Sequence, residues 1–172
     1  AVRRFDGAAG GRRWSANPTF DNINSEILSG AWPLRRRAAY FVRNNPHASA
    51  AVQAYRSNLV GTGIRPVSQH PDEATRKTIQ ALWQRAVPLL DADGVMDHYG
   101  QQATAVQQMI EAGECFAHLR PSLRPGVPLQ VQLLDADMVD QSYTRALPNG
   151  AYAIGGIEFN AAGQRAAYYV TP

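Results

Sequence analysis

Hydrophobic positions change their period once along the chain. From Pro33 to Gly113 they recur at the spacing of amphipathic helices, and after Gly113 they alternate as in half-buried strands. The first predicted helix takes Pro33 into its opening turn, where the missing N–H costs nothing, and sets Leu34, Ala38, Phe41 and Val42 on one face. It stops near Asn44, because Pro46 disfavours helical geometry at Asn45. Asn45 and Pro46 then start a second helix as N-cap and first residue. Its stripe is Ala48, Ala51, Val52, Tyr55 and Leu59, and Gly61 is its C-terminal cap. A third helix is expected from about Asp72 to Val87, with Ile79, Leu82, Trp83 and Ala86 inward and Pro88 closing it. A fourth begins near Asp97, points Tyr99, Ala103, Val106 and Ile110 inward, and ends at Gly113.

Beyond Gly113, Cys115, Ala117 and Leu119 share one strand face, with Phe116 and His118 on the other. A loop at Pro121, Pro125 and Gly126 leads to a second strand, where Leu129, Val131 and Leu133 alternate with Gln130 and Gln132. Residues 140–151 read as a loop. Ile157 and Phe159, a turn at Asn160–Gly163 and a return over Arg165–Val170 form a hairpin. Residues 1–30 read as an N-terminal arm: Gly7, Gly10 and Gly11 lie among Arg3, Arg4, Arg12 and Arg13, with Trp14 and Phe20 as anchors and a short helical turn over Asn22–Leu28. Helices first and strands last predict an α+β fold, with a small, mostly antiparallel sheet after N-terminal helices, over one domain of residues 31–172.

Composition narrows this picture. The 172 residues are 45% hydrophobic, enough for a core and against global disorder. No apolar run approaches the roughly 18 residues of a membrane-spanning helix, and the first residues carry charge without the apolar region of a secretory signal. Cys115 is the single cysteine, which suits a reducing compartment. The chain starts at Ala1 and ends on the strand-like Ala-Ala-Tyr-Tyr-Val-Thr-Pro, so a processed product or a piece of a longer protein is expected. The net charge of +3 hides a split. Residues 1–90 hold 13 basic and 5 acidic side chains, a net +8, whereas residues 91–172 hold 4 and 9, a net −5. Apart from Lys77, every basic residue is arginine.

Several groups resemble chemical sites but read better as local structure. Asp91, Asp93 and Asp97 look like part of an oxygen-ligand loop. A calcium loop needs a bidentate glutamate at its twelfth position, which here is Gln102. The preferred reading is a tight turn with Asp97 as an N-cap. Gly61-Thr62-Gly63 lacks the lysine and the preceding strand of a phosphate loop, and reads as a cap and turn. Cys115 beside His118 or His98 would suit a nucleophile. In an apolar strand pattern, however, cysteine behaves as a small hydrophobe, and His118 faces the opposite side. Glu111 with Glu114, and Asp135 with Asp137, read as solvated charges or as partners for arginines across a subunit contact. No catalytic residue, metal ligand or cofactor is expected. The informative polar residues are Arg35, Arg36, Arg37 and Arg43. They suit either phosphate or the acidic residues of a neighbouring copy, and arginine favours planar, bidentate pairing in both cases.

Six ordered segments resemble the portal proteins of lambda-type tailed bacteriophages. Val42-Arg43-Asn44-Asn45-Pro46-His47-Ala48 is similar to the family's helix junction, and Asn58-Leu59-Val60-Gly61-Thr62-Gly63-Ile64-Arg65-Pro66 to its glycine-rich turn. Asp91-Ala92-Asp93-Gly94 follows, with Tyr99 and Gln101 beyond it. Gly113-Glu114-Cys115-Phe116 and Leu133-Leu134-Asp135-Ala136-Asp137 come next. The last segment is Gly156-Ile157-Glu158-Phe159-Asn160, with Gly163 and Ala167-Tyr168. The resemblance covers about Arg35–Val170.

It implies a homo-oligomeric ring, a dodecamer in the full-length protein, at one capsid vertex of the virion. Double-stranded DNA enters through that ring, driven by the terminase large subunit, and leaves through it. Capsid and head–tail completion proteins dock there, assembly takes place in the host cytoplasm, and no membrane is involved. This chain would be the N-terminal, wing-like portion of a phage or prophage portal, without the stem and clip. No catalytic residue carries over, because the portal is a passive conduit. In a head-to-tail ring, the basic helical half would meet the acidic strand half of the next copy. The competing expectation is a basic nucleic-acid-binding module using the arm and the arginine helix.

Overall fold

In the computed structural model, which describes residues 23–171, the first helix begins ten residues before Pro33. This helix, α1, spans Ile23–Asn44 and carries Pro33 in its interior. It takes in the short turn expected over Asn22–Leu28 and residues 23–30 of the expected arm; the rest of that arm lies outside the described residues. An interior proline removes a hydrogen bond and crowds the preceding turn, at about 3 kcal/mol in an isolated helix. Leu28 sits so close to Gly155 that any Cβ there would run into it, and Gly30 is buried. Leu28 and Gly155 are far apart in sequence, so the local pattern carries no sign of their contact.

The next boundary follows local chemistry. Asn45 is extended (φ −117°, ψ 114°), and its side chain accepts hydrogen bonds from the amides of His47 at 2.9 Å and Ala48 at 3.2 Å. That cap, with Pro46 behind it, opens α2 (Pro46–Leu59). Gly61 follows with φ +55°, the left-handed conformation expected of a residue that ends a helix. Asp72 caps α3 (Glu73–Ala86) through Thr75. Asp97 caps α4 (His98–Ala112), and Gly113 closes it in the left-handed region. Four helices followed by small antiparallel sheets make the fold α+β.

The described chain forms two compact units. One is Val42–Leu134. In it α2 packs on α4, and a short 3-10 turn after α3, Val87–Leu89, reaches α4. Strands β1 (Phe116–Pro121) and β2 (Leu129–Leu134) pair antiparallel, from Phe116 opposite Leu134 to Pro121 opposite Leu129. The segment before α4 joins β2 by a single parallel bridge, Asp91 to Val131. Val52, Val60, Val87 and Val127 are buried.

The other unit combines residues 23–41 with residues 135–171. Its four-stranded antiparallel sheet runs in order β3 (Arg145–Ala146), β4 (Tyr152–Ile154), β5 (Ile157–Phe159) and β6 (Arg165–Tyr168). The β5–β6 hairpin is the one expected. β3, and a 3-10 turn at Pro148–Gly150, lie inside the expected loop. Ala136, Val139 and Ala153 form the buried core, and Tyr143 stacks on Tyr169 at 4.1 Å between ring centres. The Tyr169 hydroxyl donates to Glu158 at 2.6 Å; that bond first, then one with Tyr143, holds the phenol above its ordinary range.

Both cores are made of small side chains. The expected inward residues Phe41, Tyr55, Leu59, Ile79, Leu82 and Leu119 are 42–58% exposed. Periodicity separates the two faces of a helix, but it does not say whether anything covers the apolar one.

Candidate functional site

The arginines expected to act together are separated by helix geometry. Successive helical residues point about 100° apart. Arg35 turns inward, with its side chain 11% exposed and its Nη1 3.3 Å from the Ala136 carbonyl and 3.6 Å from the Asp137 carboxylate. Asp137, read as a solvated charge or as a partner for an arginine of a neighbouring copy, is half exposed and pairs with an arginine of its own chain. Asp135 is also engaged locally, accepting from the Asp137 amide at 2.8 Å. Arg36, Arg37 and Arg43 are exposed. The Arg36 guanidinium lies over the Trp32 ring at 4.6 Å, an arrangement that single-residue periodicity missed because Trp32 lies before the expected helix start.

The charge split of the linear chain does not become a split between units. Residues 23–41 with 135–171 hold five basic and five acidic side chains, a net charge of zero. Residues 42–134 hold eight and seven, a net +1. The basic helix and the acidic segment 135–140 fold into the same unit.

In the unit Val42–Leu134, the conspicuous polar group is Asp91, 3% exposed. One carboxylate oxygen accepts from the Asp93 amide at 3.2 Å and Gln101 Nε2 at 2.9 Å. The other accepts from the amides of Val95 at 2.8 Å and Met96 at 2.9 Å. Burial opposes ionisation, but the amides of Met96, Val95 and Asp93 and the Gln101 side chain outweigh it. The carboxyl is held below its ordinary range. Gln101, itself buried, also donates to the Val131 carbonyl at 2.8 Å, which locks α4 to β2.

The other loop aspartates have similar roles: Asp93 accepts from Gln132 at 3.0 Å and Asp97 from the Gly100 amide at 2.7 Å. This is the turn and N-cap that the spacing suggested. Its four donors are N–H groups, which fill the coordination positions of Asp91 that a cation would need.

The remaining motif residues gather on the same framework. Gln102 clamps the glycine turn from both sides, accepting from the Ile64 amide at 2.7 Å and donating to its carbonyl at 3.1 Å. Gly63, at φ +109°, lies against the Tyr99 ring with no room for a Cβ. Trp83 Nε1 lies 3.4 Å from the Tyr99 hydroxyl, and His98 meets the Trp83 ring edge-on at 5.5 Å. Cys115 Sγ points to Gln108 Oε1 at 2.9 Å, while His118 is exposed on β1. Glu111 accepts from Gln107 at 2.9 Å. The sequence motifs therefore converge on a scaffold of turns, caps and clamps.

The family model described as phage portal protein, lambda family, matches residues 9–172. No curated protein matches the chain. No described helix is long and apolar enough to cross a membrane.

Proposed function

The chain belongs to the lambda family of phage portal proteins, and from that premise we propose that it is a subunit of the portal ring at a capsid vertex. The ring is the conduit through which double-stranded DNA is packaged and ejected, and it joins head to tail. Family membership over residues 9–172 is the observation that carries this reading. Portal proteins are structural components of the phage particle, and this subunit acts by assembly rather than by catalysis. Its partners are further copies of itself, as a dodecamer, together with the terminase large subunit, capsid proteins and head–tail completion proteins. Assembly takes place in the host cytoplasm before the subunit becomes part of the virion. Residues 31–172 make up the wing-like part of the subunit.

The uncovered apolar side chains support an assembling subunit. Ile79, Leu82, Tyr55 and Phe41 are each at least 42% exposed, so large apolar side chains are left uncovered in the single copy. Arg36, Arg37 and Arg43 remain interface candidates, whereas Arg35 stabilises its own chain. Electron microscopy of the protein as its gene encodes it tests the reading: rings are expected, and a uniform population of monomers would sink it.

A second reading has one observation in its favour. Arg36 stacked on Trp32, beside exposed Arg37 and Tyr40, suits a nucleic-acid surface. Binding to DNA that falls steeply with salt, and is lost in Arg36→Ala with Arg37→Ala, would favour it.

A further inference from the structure

We propose that the exposed face of α1 receives the Asp91–Asp97 loop of a second copy of this chain. The proposal rests on the ring reading and adds which surfaces meet. Leu34, Arg36, Arg37, Ala38, Tyr40 and Phe41 line an open groove that is almost wholly apolar. Tyr40 is 70% exposed and Phe41 55%, an aromatic face whose hydration is unfavourable. Both charged residues that line the groove are arginines.

The loop offers the complement. Val95 is 77% exposed, between the exposed carboxylates of Asp93 and Asp97. The loop is held in place from beneath. Asp91 binds the amides of Val95 and Met96, Gln132 holds Asp93, and Asp97 is fixed as the cap of α4. A preorganised apolar knob loses little conformational entropy on docking. Arg124 approaches Gly94, where a Cβ would lie 3.5 Å from its guanidinium, but against Asp91, Asp93 and Asp97 it leaves the loop net negative.

An apolar groove with a positive rim thus faces an apolar knob with a negative rim. Burial of Val95 against Leu34, Ala38 and Phe41 supplies affinity, and the charges set register. The groove and the knob are different surfaces, and in the ring reading they meet head to tail. Each copy uses its groove with one neighbour and its loop with the next, as ring closure requires. A nucleic-acid backbone would suit the charge of Arg36 and Arg37 but leave the apolar floor without a partner of its own kind.

Disulfide trapping tests the contact in the protein as its gene encodes it, on a Cys115→Ala background. Ala38→Cys and Val95→Cys combined in one chain are expected to give a ladder of linked multimers on oxidation, and neither change alone should do so. Rings of normal mass without a ladder overturn the docking and leave the ring reading standing. Wild-type monomers in mass photometry overturn the ring reading, and the docking with it. Arg36→Glu with Arg37→Glu is expected to weaken assembly about tenfold or more, with partial recovery on adding Asp93→Arg. Unchanged assembly with loss of DNA binding overturns the docking in favour of a nucleic-acid surface.

Discussion

In the unit Val42–Leu134 the polar centre is a carboxylate shielded from water; in the unit of residues 23–41 and 135–171 it is a guanidinium near the surface. Asp91 accepts four N–H bonds, three from backbone amides within five residues of it and one from Gln101. Arg35 reaches across 101 residues to Ala136 and shares a 3.6 Å ion pair with Asp137, whose side chain is 45% exposed. The first arrangement builds a loop and ties it to a helix and a strand. The second joins two distant pieces of chain. Buried polar groups are costly to orphan, whereas partly exposed pairs regain water, so the two centres should differ in their response to mutation.

The largest effect is expected at Asp91. Asp91→Ala leaves three amides and the Gln101 side chain without their acceptor and should cost about 3 kcal/mol, read by urea denaturation with hydrogen exchange localising the loss to α4 and β2. The pH dependence has a defined sign. The folded carboxyl lies below its ordinary range, so its contribution is complete above the unfolded value, about 4, and is lost as pH falls through the lower folded value. Circular dichroism against pH should therefore show a flatter acid limb in Asp91→Asn. Equal losses from Asp91→Ala and Arg35→Ala would break the comparison.

Gly63→Ala comes next. The new Cβ meets the Tyr99 ring at a backbone angle of φ +109°, so a loss of about 2 kcal/mol should appear as a lower Tm. Arg35→Ala should cost about 1–2 kcal/mol, with faster hydrogen exchange near Ala136. Asp137→Asn should cost less, because water replaces part of what Arg35 provides. The smallest effect belongs to the exposed Lys77–Glu73 pair at 2.7 Å. Glu73→Gln should change stability by no more than a few tenths of a kcal/mol, a difference that salt erases in the same urea titration.

Local chemistry was legible where neighbours in sequence make the contact. Asn45 before Pro46, Asp72 before α3, Asp97 before α4 and Gly113 after it all behave as their types and positions require. The Asp91–Gly94 turn was legible for the same reason. Gln102 was noticed for failing as a calcium ligand, yet its role is to clamp Ile64, 38 residues away. The start of α1 was missed because Pro33 is a strong local signal for a helix boundary, while the contact of Leu28 with Gly155 is not local. Arg35, Arg36 and Arg37 looked equivalent in a row. One turn of helix gives them an ion pair, an aromatic stack and an exposed position respectively.

By itself, the sequence determined the order of helices before strands, the helix caps, the turn at Asp91 and the motifs that mark a lambda-family portal protein. These depend on hydrogen bonds and steric limits within a few residues, or on residue patterns read in order. The tertiary structure decided which apolar faces are covered, which distant segments share a unit and where charge ends up. Residues 23–41 fold with residues 135–171, so Arg35 and Asp137 lie in one unit, and the described part of that unit is neutral while residues 42–134 carry a net +1. Coulomb attraction and burial act through space, and chain order does not fix which charges become neighbours.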